Sequence, residues 1–218
     1  MRKSKLHISA FIILLASWFA FTPSALAQDD FHALNDISGF KEKMNVASST
    51  IQSINSDFVQ LKHLSFLEED VESKGMFFFQ KENKLRWEYS DPFFYLIIFS
   101  NDTVLIQDDH KANIYDAASG RMFREINDIM LSMVNGSILE SDNFTFEYFE
   151  NTSAYKLELT PLDANMKEFL RTIRLFINKN DHTVDELYMI ERSGDYTRIQ
   201  FINKQLNEDI PQHTFDLP

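Results

Sequence analysis

Among the side chains able to do acid–base or metal chemistry, the histidines come first. His32, His63, His110, His182 and His213 lie beyond the N-terminal apolar run, and none stands at the H-x-x-x-H spacing that aims two imidazoles from one helix face. Asp108-Asp109-His110 and Asp181-His182 set carboxylates beside an imidazole, the minimum for proton transfer. Both lie in turn-like sequence and read as solvated loops. Cysteine is absent, which removes thiolate ligands, disulfides and a thiol nucleophile. It also removes the acceptor for lipid attachment after signal cleavage. No G-x-S-x-G elbow and no phosphate-cradling glycine loop is present. Glu68-Glu69-Asp70-Val71-Glu72 offers oxygen ligands for weak calcium binding, but reads as an exposed acidic loop. Neither catalysis nor a cofactor nor a metal is expected.

What the chain has in excess is apolar aromatic surface. It carries 21 Phe against 5 Gly. Phe11, Phe19 and Phe21 fall in the N-terminal run, and the others must be buried in a core or line a large apolar cavity. The chemistry to look for is therefore the sequestration of something greasy.

The N-terminus reads as an export signal over residues 1–27. Arg2, Lys3 and Lys5 precede an apolar run from Ile8 to Phe21, and Ala25 and Ala27 provide a small-residue cleavage site. The run is shorter than the ~20 residues of a membrane span. Residues 28–218 then form one domain, long enough for a real core. The net charge is −12, and cleavage removes three basic residues and no acidic one. Such a surface repels nucleic acid and anionic membranes, so no nucleic-acid partner is expected. A soluble monomer is.

The elements that must position the apolar residues show in the periodicity. Phe40, Met44, Ala47, Ile51 and Ile54 recur at helical spacing and predict an amphipathic helix over residues 31–54, with Asp36 or Ser38 as cap. Eleven strand-like segments follow, roughly 57–66, 73–81, 84–90, 94–100, 103–108, 112–116, 143–149, 154–160, 171–178, 183–192 and 196–204. Turn residues such as Ser193-Gly194-Asp195 separate several of them and imply antiparallel hairpins. Residues 124–134 are expected to form a second helix, with Met130 and Met133 on its apolar face. A long antiparallel sheet must twist and curl. The expected fold is thus mainly β with α: a single antiparallel sheet curled into a half-open barrel, closed by a helical lid.

In the hairpin Gly75–Gln80 and Leu85–Tyr89, a turn centred on Glu82-Asn83 would set Phe78 opposite Trp87 and Met76 opposite Tyr89. Met76, Phe78, Leu85, Trp87 and Tyr89 would then face the lipid-binding interior, with Arg86 and Glu88 turned to water. Ile97 and Phe99, Phe144 and Phe146, and Met130 and Met133 complete the expected apolar lining.

These features together resemble the periplasmic outer-membrane lipoprotein carriers of the LolA family. The resemblance rests on Ser56-Asp57-Phe58-Val59-Gln60 after the first helix and on the Gly75 strand leading to Leu85-Arg86-Trp87-Glu88-Tyr89-Ser90-Asp91-Pro92. Leu159-Thr160-Pro161, Met166-Lys167-Glu168-Phe169, Asp195-Tyr196-Thr197, Ile210-Pro211 and Phe215 continue it. It implies an incomplete barrel of about eleven strands, with helices as a lid over an apolar cavity, in the periplasm of a Gram-negative cell. As partners it implies lipoprotein acyl chains, an inner-membrane lipoprotein-releasing ABC transporter and an outer-membrane acceptor. It also implies that Lys81 latches the lid, although Glu82 stands where relatives carry Pro. A carrier of another lipid or of a membrane pigment precursor fits the same pattern, as does a lipid-sensing regulatory module.

Overall fold

The computed structural model describes residues 30–81, 84–100, 103–116, 131–134 and 136–217. The segment read as an export signal lies outside them, as do most of the second expected helix, including Met130, and the turn pair Glu82-Asn83. No helix of the described residues is long and apolar enough to cross a membrane.

The longest helix of the described residues is α1 (Ile37–Thr50). It begins where Asp36 accepts a hydrogen bond from the Gly39 N–H at 2.9 Å, the N-cap expected from sequence. The periodic stretch is longer than the helix at both ends. His32 and Ala33 instead form strand β1 (His32–Ala33), pairing with Glu150 and Phe149. At the other end Ile51 is extended and Ser53 already belongs to a strand. Ser48, Ser49 and Thr50 each donate their hydroxyl to the carbonyl three residues back, a competition with the helical ladder typical of a helix end.

Eleven further strands match the expected segments closely. They are β2 (Ser53–His63), β3 (Val71–Gln80), β4 (Lys84–Asp91), β5 (Tyr95–Ser100), β6 (Thr103–Asp108) and β7 (Ala112–Asp116), then β8 (Phe144–Glu150), β9 (Ala154–Pro161), β10 (Leu170–Asn178), β11 (Val184–Glu191) and β12 (Tyr196–Leu206). A short helix, α2 (Ala164–Phe169), joins β9 to β10. Among the described residues the strands make a single antiparallel sheet in the order β1-β8-β9-β10-β11-β12-β2-β3-β4-β5-β6-β7. Its ends, β1 and β7, do not pair with each other, so the sheet stays open.

Burial separates the two faces. On the inner face Phe58, Phe77, Leu85, Trp87, Leu157, Leu159, Ile173, Leu175, Leu187 and Ile199 form one core with Phe40 and Met44 of α1. The Phe40 ring meets Tyr155 at 4.7 Å and Tyr148 at 5.9 Å. Each such ring or branched side chain contributes about 1.5–3 kcal/mol through burial. Gly75 lies within this packing. A Cβ there would fall 1.8 Å from the Glu88 carbonyl oxygen and 2.8 Å from the tip of the Phe58 ring, so only glycine fits. The outer face has its own small cluster of Leu96, Ile98 and Leu105, packed by Phe94 and Leu217. Over it runs the C-terminal segment, held by the Arg86 guanidinium, which donates to the Thr214 carbonyl at 3.0 Å.

The β3–β4 register differs by one residue from the expectation. Phe77 pairs with Trp87, Phe79 with Leu85 and Met76 with Glu88. Gln80 pairs with Lys84, leaving three residues between them rather than the two assumed. A one-residue slip exchanges the faces of a strand. Phe77 and Phe79 therefore occupy the core, while Met76, at 39% exposure, and Phe78 turn outward.

An apolar cavity beneath the helical cover as candidate site

Between α1 and the sheet lies a cavity of about 50 Å³. A volume on that scale takes on the order of four water molecules. Met44, Ser48 and Ile51 line it from α1 and its exit, and Met133 and Val134 from the helical residues 131–134. The sheet contributes Ile54, Phe77, Trp87, Val184, Leu187 and Phe201, and the β10–β11 turn His182 and Thr183. Most of this wall can only exclude water and pack against hydrocarbon.

Trp87 is the centre of the wall. Its ring is 5% exposed and lies 4.8 Å from Phe58, 5.3 Å from Phe77 and 5.9 Å from Phe201. The indole Nε1 is buried without a hydrogen bond. Beside it, the Tyr89 hydroxyl donates to Gln60 Oε1 at 2.9 Å. Burial pushes the Tyr89 phenol up to about 12, and the neighbouring indole offsets only a little of that.

One lysine shares this apolar wall. Strand β12 carries a bulge between Ile202 and Gln205, with Asn203 at a φ of 55°. Phe201 faces inward, so regular alternation would turn position 204 outward. The extra residue reverses this, and Lys204 lines the cavity. It arrives neutralised, its ammonium donating to Asp185 and to the Thr183 hydroxyl, with Asp181 at 3.5 Å.

Polar contacts among the described residues help to hold the cover in place. Lys41 Nζ donates to the Leu139 carbonyl at 2.9 Å, tying α1 to the 3-10 turn Ser137–Glu140. Lys81 Nζ donates to the Ser49 carbonyl at 3.1 Å and the Lys81 N–H to Gln52 at 2.7 Å. Both bonds reach the end of α1, where the resemblance puts a latch. Gly136, at a φ of 76°, lets the second segment approach α1, since a Cβ there would stand 3.2 Å from Ser48 Oγ.

Of the residues singled out from sequence, Trp87 and Met133 line the cavity. Leu85, Tyr89, Ile97, Phe99, Phe144 and Phe146 share the inner face and pack into the core beside it. Met76 and Phe78 lie on the outer face for the register reason given above. Sequence reasoning missed Phe77, Phe201 and the β10–β11 turn. Phe77 was recoverable from a three-residue hairpin loop. Lys204 was not, because a bulge leaves no mark in the hydrophobic pattern.

The family described as outer membrane lipoprotein carrier protein LolA matches residues 49–218. The chain belongs to the LolA family. The match begins at the end of α1 and covers β2 to the C-terminal segment, the part of the chain that builds all of the sheet but β1 and most of the cavity wall. No curated protein matches the chain. Among solved structures, a chain of the Pseudomonas aeruginosa MucA/MucB complex is similar at a TM-score of 0.51 and 13% identity, over 84% of this LolA-family chain and 61% of that one. An uncharacterized conserved protein from Thermus thermophilus is similar at 0.53 and 8% identity, over 83% and 94%. A LolA superfamily protein from Nitrosomonas europaea aligns at 0.42 and 9% identity, over 81% and 97%. At these identities the likeness to the first two is one of fold alone.

Proposed function

We propose that this protein is a periplasmic carrier that shields the acyl chains of lipoproteins from water and takes them from an inner-membrane ABC-type release complex to an outer-membrane acceptor. One observation carries this reading: an open sheet whose inner face ends in an apolar cavity under a helical cover. Membership of a lipoprotein-carrier family supports the cargo class that the reading names.

The energetics suit a carrier. Each buried methylene contributes ~0.8 kcal/mol. Ten of them would be worth roughly 8 kcal/mol, near micromolar affinity before ordering costs. The empty state is already satisfied, because Met44 and Ile51 pack into the core that the cargo would share. Closure of the cover on the sheet therefore competes with the cargo, and release needs no further energy source beyond that competition. Lys81 would act as the latch by holding the end of α1 against the β3 hairpin. Met44 and Met133, with flexible thioethers, allow the wall to repack around chains of different shape.

Depletion in the native cell tests the assignment. Lipoproteins stranded at the inner membrane support it. Correct sorting sinks it and points to another lipid as cargo, which mass spectrometry of the co-purified ligand would identify.

A further inference from the structure

Three loops at one end of the sheet each expose a phenylalanine. The β2–β3 loop carries Phe66 at 78% exposure, the β4–β5 loop Phe93 at 57%, and the β9–β10 connection Phe169 at 73%. The register puts them on the same rim: His63 pairs with Tyr196, Leu170 with Glu191, and Tyr89 with Tyr95. Leu67 and Leu162, also exposed, adjoin them. At ~4.8 Å between neighbouring strands, the β9–β10 and β2–β3 connections stand four spacings apart, and β2–β3 and β4–β5 two. The row is thus about 29 Å long, within the span of one protein interface. The cavity lies toward the other end, where its wall includes the β10–β11 turn and the end of β12.

We infer that this phenylalanine rim is a docking surface for a protein partner that offers apolar pockets bordered by lysine or arginine. Exposed aromatic side chains spaced across a rim are the anchors such interfaces use. Charge decides between a protein and a bilayer. Phe66 is followed by Glu68, Glu69 and Asp70, with Glu72 just beyond, and Asp91 precedes Phe93. The cations of this rim are scattered: Lys167 stands in the Phe169 connection next to Glu168, Arg171 follows in β10, Arg192 lies in the β11–β12 turn, and Lys62 beside the Phe66 loop is paired with Glu191. Inserting Phe66 into lipid would drag three carboxylates into the headgroup region, whereas surfaces that lie on membranes are rich in Lys and Arg. A basic protein surface gains from the same carboxylates. Docking at this end leaves the cavity and its cover free for cargo exchange.

The test places a photo-crosslinking residue at positions 66, 93 and 169 of the full chain in its native cell, with Val46 and Ile114 as exposed apolar control sites. The expected result is one common protein crosslinked from all three rim positions and from neither control. That protein, purified, should bind the mature chain with an affinity that falls with salt. Phe66→Ser/Phe93→Ser/Phe169→Ser should weaken it roughly 100-fold, and Glu68→Lys/Glu69→Lys should weaken it as well. Both variants should retain the wild-type melting temperature and wild-type binding of a fluorescent acyl peptide. Three rim positions with no common partner, or a partner indifferent to the triple substitution, would overturn the inference. So would flotation with phosphatidylcholine or phosphatidylglycerol vesicles that the triple variant abolishes. Failure of the carrier reading would show separately, as absent acyl binding in the unaltered chain.

Discussion

Replacing Met133 with Glu tests the cavity through the energetics of a single charge. Met133 is half-buried and lines the cavity from the helical cover. In the empty protein an introduced carboxylate can turn toward the mouth, so the fold should lose only about 1–2 kcal/mol. An acyl chain closes that escape. The carboxylate must then be buried without a partner or accept a proton, and protonation is the less costly route. From an ordinary pKa of ~4.3, neutralising it at pH 7 costs about 3.7 kcal/mol, roughly a 500-fold loss of affinity. At pH 5 the same step costs about 1 kcal/mol, and the loss shrinks to about fivefold. Titration with a fluorescent diacylglyceryl peptide, whose tails do not titrate, measures this at both pH values. Met76→Glu on the outer face should bind within about twofold of the original chain throughout, since exposed substitutions there rarely matter. Equal binding by Met133→Glu at pH 7, or a loss confined to Met76→Glu, would refute the assigned inner face.

Further substitutions probe the wall, the latch and the pH limits. Trp87→Ala should lower stability by about 3–5 kcal/mol in urea unfolding, because the ring fills a site among Phe58, Phe77 and Phe201. Lys81→Met should change stability by at most about 1 kcal/mol, yet speed acyl-peptide exchange several-fold in stopped-flow traces. Because burial raises the Tyr89 pKa, its contribution to stability is full below the unfolded value near 10 and is lost as pH rises through about 12. Burial also raises Tyr95, Tyr148 and Tyr188, so absorbance at alkaline pH should show several late-titrating tyrosinates, and Tyr89→Phe should remove the latest of them. The Ser65 N–H, donating at 2.8 Å, holds the Asp195 carboxyl below its usual range. The stability it contributes is present above the unfolded carboxylate pKa and lost as pH falls through the lowered one. Asp195→Asn should therefore flatten the acid side of the melting-temperature profile.

Much of the fold was legible because period-two alternation marks half-buried strands, and eleven such segments stand out. The β1 strand was not, since His32-Ala33 is too short to alternate and reads as the start of the amphipathic stretch. The inner face of β4 was legible from Arg86 and Glu88, whose charges must face outward and so send Leu85, Trp87 and Tyr89 in. The β3 face was not, because Met76-Phe77-Phe78-Phe79 is apolar on both sides and only the loop length decides the register. The cavity needed tertiary information throughout. Its polar corner depends on the bulge at Asn203, and its cover on Gly136 approaching Ser48.

Quenching of Trp87 by a nitroxide on the acyl chain tests the central claim most directly. Produced from residue 28, the chain keeps Trp87 and loses Trp18, its other tryptophan. A spin-labelled acyl peptide with the nitroxide at mid-chain should quench Trp87 saturably, at one ligand per protein, and an unlabelled acyl peptide should reverse it. Fluorescence that stays constant while the peptide binds would place the hydrocarbon elsewhere and contradict a cargo cavity walled by Trp87.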